Sequence, residues 1–158
     1  MRVFEVADNS IRSVMNQLLK GGAFDGFLVR GAEISVFTKV EISGILNKSF
    51  YPEEERDNLC RNYIYWKEIK PYALSLIKGD RAPAAFKVVF SLTDREVKTL
   101  HDNASAMFLN LLYEENKLRF TTAISQRNFS LDKSVDAVWD AYIQKYLNAY
   151  GWSVSTLD

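Results

Sequence analysis

The residues that most often perform catalysis or bind metals are scarce in this chain. His101 is the only histidine and Cys60 the only cysteine. Zinc and iron sites need several His or Cys ligands at fixed spacing, so the sequence predicts no metal site. A catalytic Cys–His pair would require these two residues to meet in space, and no local motif indicates that they do. We expect a buried, inert thiol and a histidine placed near a helix C-terminus, where a cation is favoured.

Other motifs that could carry chemistry are incomplete. Ser130 and Lys133 form an S-x-x-K pair, but the S-D-N and K-T-G elements of the penicillin-binding enzymes do not occur in the sequence. The glycines at 21, 22 and 26 match neither the dinucleotide-binding nor the P-loop pattern. We therefore predict no catalytic residue and no cofactor, and we favour a protein that is not an enzyme.

The stretch NYIYWKEIKPY, residues 62–72, carries four aromatic rings beside charged residues. Helical spacing directs Tyr63 and Trp66 inward, and Pro71 predicts a kink or break at about 67–71. Two interpretations remain open: a core helix with solvated lysines, or an aromatic and basic platform that stacks bases. The candidate binding residues are Tyr65, Lys67, Lys70, Lys78 and Arg81.

A second aromatic segment lies near the end of the chain. Apolar residues recur three and four positions apart between residues 135 and 150, which predicts a helix over 132–150 that ends at Gly151. This helix either packs on a sheet or binds a partner, because tyrosine suits an interface by burying its ring and exposing its hydroxyl. The candidate interaction residues are Trp139, Tyr142, Tyr146, Tyr150 and Trp152.

Length and composition limit the class of protein. The chain has 158 residues, which favours a single domain spanning 1–158. Its 20 basic and 20 acidic residues balance, so no overall charge attracts nucleic acid or lipid. No apolar run approaches the roughly 20 residues of a membrane span, and the N-terminus lacks a signal-peptide pattern. One thiol fits a reducing compartment, so we expect a cytoplasmic protein with no membrane association.

The elements that must position these residues follow from periodicity and turn chemistry. Thr93 and Glu96 match a capping box that opens a helix, and Pro52 with its acidic followers predicts another helix start. The other predicted elements are a strand at 2–7, a helix at 10–20, three antiparallel strands within 26–51, a strand at 85–92, a hairpin at 105–125 and a strand at 128–131.

The resulting order is βαβββ, a helix, βαβββ, a helix. We therefore predict an α+β fold with antiparallel strands and packed helices, made of units at about 2–51 and 85–131, an inserted helix at about 53–78 and the C-terminal helix. This order resembles a domain of the DNA sliding clamps. The resemblance implies a clamp-like nucleic-acid accessory protein, with Lys67, Lys70, Lys78, Arg81, Arg12 and Lys20 as candidate contacts.

Three further segments resemble another family. FDGFLVRGAEI (24–34), LIKGDRAP (76–83) and SLDKSVDAVWD (130–140) are similar to a family of uncharacterised small proteins from clostridial-type bacteria. This resemblance implies a bacterial cytoplasmic protein with no assigned activity, so it assigns no role to any residue.

These observations favour a non-enzymatic binding or assembly module, whose partner is another protein or a second copy of the chain. The clamp-like nucleic-acid accessory protein is the alternative. A second alternative is a small-molecule enzyme with a site near Tyr63, Trp66 and His101, which requires these three side chains to converge on one pocket.

Overall fold

A computed structural model describes residues 1–77, 79 and 81–157. Within this part of the chain, eight strands and five α-helices form, together with a short 3₁₀ helix at Lys48–Phe50. In chain order they are β1 (Val3–Val6), α1 (Asp8–Leu19), β2 (Leu28–Ser35), β3 (Lys39–Ile42), α2 (Glu53–Arg56), β4 (Ile64–Tyr65), α3 (Trp66–Ile77), β5 (Ala85–Ser91), α4 (Asp94–Leu100), β6 (Ala104–Glu114), β7 (Lys117–Gln126), α5 (Ser134–Ala149) and β8 (Val154–Leu157).

The strands form one antiparallel sheet in the order β3–β2–β5–β6–β7–β1–β8, and the short β4 pairs with β2 at the edge that β3 also occupies. The longest pairing joins β6 to β7, from Ala104 opposite Gln126 to Glu114 opposite Lys117. This is the predicted hairpin, which turns at Glu115 and Asn116 with positive φ. The predicted α+β class with antiparallel strands is confirmed.

One face of the sheet carries the hydrophobic core. Alternate residues of β5 point into it, and helices α1, α3, α4 and α5 contribute their apolar sides to the same cluster. Its fully buried aromatic members are Phe4, Phe24, Trp66, Phe86, Phe90, Phe120 and Trp139. Trp66 explains much of the aromatic stretch at 62–72, because its ring is 0% exposed and packs edge-on against Phe86 and Phe90.

The alternate side chains of the same strands point the other way, away from that core. We call this surface the open face. Registers in the sheet place Ser91 beside Phe108, Val89 beside Asn110, and Lys87 beside Leu112. The open face comprises Leu28, Arg30, Glu33, Lys87, Val89, Ser91, Phe108, Asn110, Leu112, Arg119 and Glu5.

The prediction of a last strand in each of the two units is wrong. In the first unit, Ile45 forms only an isolated bridge with Tyr63, and the 3₁₀ helix follows. Residues 128–131 form no strand, and Phe129 is 89% exposed. The amides of Asn128 and Ser130 donate to the side chains of Asn103 and Gln126, so they do not pair with another strand.

The predicted inserted helix is divided. The four-residue α2 ends at Arg56, and α3 begins only at Trp66. α3 then runs unbroken through Pro71, whose ring is exposed, so the predicted break at 67–71 lies instead at 57–65. Glu68 explains the later start, because its carboxylate accepts the amide hydrogen of Tyr65 at 2.8 Å and so caps the first turn of α3.

Both ends of the chain meet at one edge of the sheet. β8 pairs with β1 over four residues, an element that the sequence did not predict.

The predicted first helix begins at Asp8 and not at Ser10, whose buried hydroxyl accepts the amide hydrogen of Ser153 at 3.0 Å. The predicted C-terminal helix is confirmed as α5. Across the described residues, no helix combines the length and apolarity needed to cross a bilayer.

Candidate functional site

A cavity of about 710 Å³ opens beside β2, where segment 58–65 and the first residues of α4 lie next to the open face. We call it the arginine cleft. It is lined by Leu28, Arg30, Asn58, Cys60, Arg61, Asn62, Tyr63, Tyr65, Thr93, Asp94 and Arg95. Three cations, two phenol rings and several hydrogen-bonding side chains therefore share one concave surface, as ligand sites commonly do.

Arg30 reaches the cleft because β2 contains a bulge. Val29 pairs with Phe90 and Gly31 pairs with Val89, which leaves Arg30 as the extra residue between them. Val29 is completely buried on the core side. A bulge of this kind redirects one side chain, and here it brings the guanidinium of Arg30 onto the open face.

The guanidinium of Arg30 is held from several directions. Its Nε donates to the hydroxyl of Ser91 at 3.0 Å, and Ser91 is itself completely buried. Its central carbon lies 4.1 Å from the Tyr63 ring centroid and 5.2 Å from that of Phe108, which is cation–π geometry. Its two Nη groups form no hydrogen bond or ion pair with any described residue. The donor edge that recognises oxyanions in a fork is thus left for a ligand.

Arg61 has the opposite status. Its Nη atoms contact the two carboxylate oxygens of Glu68 at 2.5 and 3.0 Å, and Nη1 also donates to the Tyr63 carbonyl. The hydrogen bonding between Arg61 and Glu68 raises the pKa of Arg61 and lowers the pKa of Glu68. Arg61 also lies 4.7 Å from the Tyr65 ring centroid. Its role is to fix segment 61–68 as a wall of the cleft.

The remaining charges leave the cleft positive. Arg30, Arg61 and Arg95 face a single lining acid, Asp94, and Glu68 neutralises Arg61 from outside the lining. Arg95 and Asp94 are exposed at the start of α4. A guanidinium pairs well with phosphate or carboxylate oxygens, and the side-chain amides of Asn58 and Asn62 could bond the remaining oxygens.

A second depression, of about 450 Å³, continues along the open face on the other side of Arg30. We call it the side groove. Arg30, Gly31, Ala32, Glu33, Glu41, Ile42, Ser43, Lys87 and Val89 line it. Arg30 is the one residue that lines both cavities within the described part of the chain, so it stands between them.

The predicted binding residues do not form one platform. Tyr65 lines the cleft, and the Nζ atom of exposed Lys67 lies 5.5 Å from the Tyr65 ring centroid. Lys70 lies elsewhere, because its Nζ donates at 2.7 Å both to Asp25 and to the carbonyl of Gly21. Arg81 is exposed between α3 and β5. Lys78 falls outside the described residues.

The predicted interaction helix, α5, faces the core along one side. Trp139 is buried, and its indole N–H donates to the Phe108 carbonyl at 2.8 Å. Trp152, which follows α5, is also buried, and its indole N–H donates to the Ser13 hydroxyl at 3.0 Å. Tyr142, Tyr146 and Tyr150 form a row of adjacent rings. Burial raises the pKa of Tyr142 and of Tyr146, whose hydroxyl donates to the Ala23 carbonyl. Tyr150, 41% exposed, is the most accessible of the five.

The residues predicted for an enzyme site do not converge. Tyr63 lines the cleft on the open face, whereas Trp66 is buried on the core side and donates to the Leu18 carbonyl at 2.6 Å. His101 ends α4, where its ring nitrogens bond the Ser134 hydroxyl at 2.9 Å and the Asn103 amide at 3.0 Å. The site predicted around these three side chains is therefore wrong.

Cys60 also differs from its prediction. The thiol is exposed and lines the cleft, whereas we predicted a buried one. Segment 57–63 is irregular and not part of a helix, so it has no apolar side on which to bury a cysteine. Among the described residues, no three His, Cys, Asp or Glu side chains are grouped to hold a metal ion.

Comparison with known protein families identifies the chain. The sequence model of DUF5721, a family of unknown function, matches residues 17–154. The chain belongs to DUF5721. Comparisons with curated proteins and with solved structures found no match. The DUF5721 match includes both β2 and the start of α4, so it contains the whole arginine cleft.

Three of the cleft residues in this DUF5721 protein were missed by sequence reasoning: Arg30, Arg61 and Arg95. One signal for Arg30 exists in the sequence. Gly31 interrupts a β pattern directly after an arginine, and an isolated glycine in a strand often marks a bulge. Arg61 and Arg95 had no comparable signal, because they approach Arg30 only after α4 and segment 58–65 fold against β2.

Proposed function

We propose that the protein is a non-enzymatic binding module whose arginine cleft takes a compact oxyanion, a phosphate or carboxylate group, of its ligand. The observation that carries this proposal is Arg30. Its guanidinium is positioned by Ser91, Tyr63 and Phe108 while its two Nη groups form no bond with a described residue. A donor fork held in place before binding loses little entropy when an anion arrives, which favours affinity.

The composition of the cleft supports binding over catalysis. Its described lining contains hydroxyl and amide groups, arginines, Asp94 and Cys60, and no histidine. A thiol or hydroxyl nucleophile needs a base within hydrogen-bonding reach. Neither Cys60 nor Asp94 forms a side-chain hydrogen bond with another described residue. The Thr93 hydroxyl donates to the Glu96 carboxylate at 2.9 Å, but both groups belong to the capping box that starts α4. We infer that the ligand leaves the cleft chemically unchanged.

The clamp-like nucleic-acid role has less support. Binding a nucleic-acid backbone requires cations that are free to replace counterions. On the open face, Lys117 and Arg119 both pair with Glu5, and Lys39 lies 3.5 Å from both Glu33 and Glu41. These pairs leave no continuous basic stripe along the described part of the open face. A single anionic group suits the cleft better than a strand of phosphates.

Binding of another protein or of a second copy through α5 is the other role that the sequence predicts. The buried indoles of Trp139 and Trp152 serve the core, so a partner would contact the row of tyrosines that ends at Tyr150. A bacterial, cytoplasmic setting stays part of this proposal. The exposed thiol of Cys60 supports the cytoplasmic part, because such a thiol stays free in a reducing compartment.

Titration calorimetry of the purified protein tests the binding proposal, with inorganic phosphate and acetate as probes in low-salt buffer. Arg30→Gln should weaken binding about 10- to 100-fold, the range for a lost charged hydrogen bond. Arg30→Lys should recover only part of the loss, because it restores charge without the donor fork. Arg95→Gln, at an exposed position, should also weaken binding without disturbing the fold.

Lys98→Gln is the matched control, since Lys98 is exposed on α4 and does not line the cleft. It removes the same charge from the same helix as Arg95→Gln. Because Lys98 lies outside the cleft, Lys98→Gln should leave the affinity for both probes unchanged. Equal weakening by Lys98→Gln and Arg95→Gln would mean that only net charge matters. That result, or wild-type affinity in Arg30→Gln, would overturn the proposal.

A further inference from the structure

We infer that the ligand carries two anionic groups, one on Arg30 and one on Lys87 in the side groove. This inference rests on the proposed function, because it assumes that Arg30 holds an oxyanion. It adds the shape of the ligand: an elongated molecule with two anionic groups, either two carboxylates or two phosphates, that extends from Arg30 along the open face.

The side groove adjoins the cleft at Arg30, which lines both cavities. Gly31 lies on its floor and contributes no side chain, and a Cβ placed there would meet only the Ile42 carbonyl at 3.7 Å. Val89, which pairs with Gly31, provides an apolar surface beside it. The path leading away from Arg30 is therefore open and suits the uncharged middle of a ligand.

Lys87 supplies the second cation. It is exposed, lines the groove, and forms no ion pair with any described residue. The groove's two acids, Glu33 and Glu41, form ion pairs with Lys39 instead, whose Nζ atom lies 3.5 Å from a carboxylate oxygen of each. Lys87 is thus left to meet an anion of the ligand.

The sheet register sets the spacing of the two anionic groups. In the sheet register, Lys87 lies opposite Glu33, and Val89 lies opposite Gly31. Lys87 is therefore two residues along β5 from the Arg30 bulge. Two residues of strand span about 7 Å. Both side chains are long, so they can accommodate anions that are somewhat closer or further apart, and a series of ligand lengths should show one optimum.

Two series of probes test this by calorimetry. The first compares acetate with malonate, succinate, glutarate and adipate, and the second compares phosphate with pyrophosphate and triphosphate. We expect one probe with two anionic groups to bind up to about fivefold tighter than the single-group probe of its series, the gain of an exposed ion pair. The series that contains it identifies the ligand as a carboxylate or a phosphate compound.

Lys87→Gln distinguishes a second site from a general effect of ligand charge. This variant should abolish the gain of the best two-group probe and leave the affinity for acetate and for phosphate unchanged, while Lys98→Gln should preserve both. A gain that survives in Lys87→Gln, or a series without any gain, would overturn the inference and leave the Arg30 proposal standing. Absence of any binding that depends on Arg30 would overturn both.

Discussion

Two arginines in one cleft show how partners decide what a residue can do. Arg61 directs its Nη groups at Glu68, so its charge and donors are already used within the protein. Arg30 uses only Nε, on Ser91, and two aromatic rings hold the plane of its guanidinium. The residue type is the same, yet only Arg30 keeps a free donor fork in a fixed orientation.

The Arg61–Glu68 pair predicts a change of stability with pH. The pKa of Glu68 is lowered from its ordinary value of 4.5, chiefly by the hydrogen bond from Arg61. The pair therefore stabilises the fold fully above pH 4.5, and its contribution is lost as pH falls through the lowered pKa. Glu68→Gln should cost about 1 kcal/mol or less at pH 7.

Urea unfolding of the wild type and Glu68→Gln between pH 7 and 3 measures this effect. The difference in unfolding free energy between the two proteins should shrink as the pH drops below 4.5. Glu114→Gln is the control, because Glu114 is exposed at the end of β6 and forms no ion pair with the described residues. A difference that stays constant across the range would show that Glu68 is not held ionised by Arg61.

At the scale of elements, segment 44–63 must remain close to β2 for the cleft to exist. Gly44 makes this approach with φ +78°, and its carbonyl accepts the amide hydrogen of Ile64 at 2.8 Å. A Cβ at this position would lie 2.1 Å from the Val29 carbonyl oxygen. The obstacle is backbone, so neither strand could adapt by turning a side chain.

Gly44→Ala should therefore destabilise the protein by more than about 1 kcal/mol, through the clash and the unfavourable φ. It should also weaken anion binding, because the backbone displaced is that of Val29 and Arg30. Gly26→Ala is the matched control, since a Cβ there meets nothing within 4 Å and should change stability by about 0.5 kcal/mol or less. Thermal and urea unfolding decide this, and equal stability of the two variants would contradict it.

Elements with local signals were predictable, and elements that depend on distant partners were not. Thr93 and Glu96 form the predicted capping box, with the Glu96 amide donating to the Thr93 hydroxyl. β8 has no such signal, because its four residues become a strand only by pairing with β1 at the other end of the chain. The strand predicted at 128–131 failed for the converse reason, since nearby side chains satisfy its amides.

At the scale of the molecule, the two faces of one sheet divide the work. Helices cover one face and make the core, and the other face carries Arg30 with both cavities. Alternation along the predicted strand at 85–92 accounts for the burial of Phe86, Val88 and Phe90 on one face. It could not predict the site, because the bulge at Arg30 and the approach of segment 58–65 arise from packing between distant parts of the chain.

The most direct test of the account is to observe Arg30 itself while an anion binds. Titration of ¹⁵N-labelled protein with phosphate and with acetate, followed by NMR, reports each arginine Nε–H group separately, and Arg30→Lys assigns its signal. We predict that at least one probe shifts the Arg30 signal saturably, together with the amides of residues 58–65 and 93–95. The Nε–H signal of Arg61, whose Nη groups already bond Glu68, should move less. An Arg30 signal that stays in place, or shifts confined to residues outside the cleft, would contradict the claim that Arg30 is the anion-binding residue of this protein.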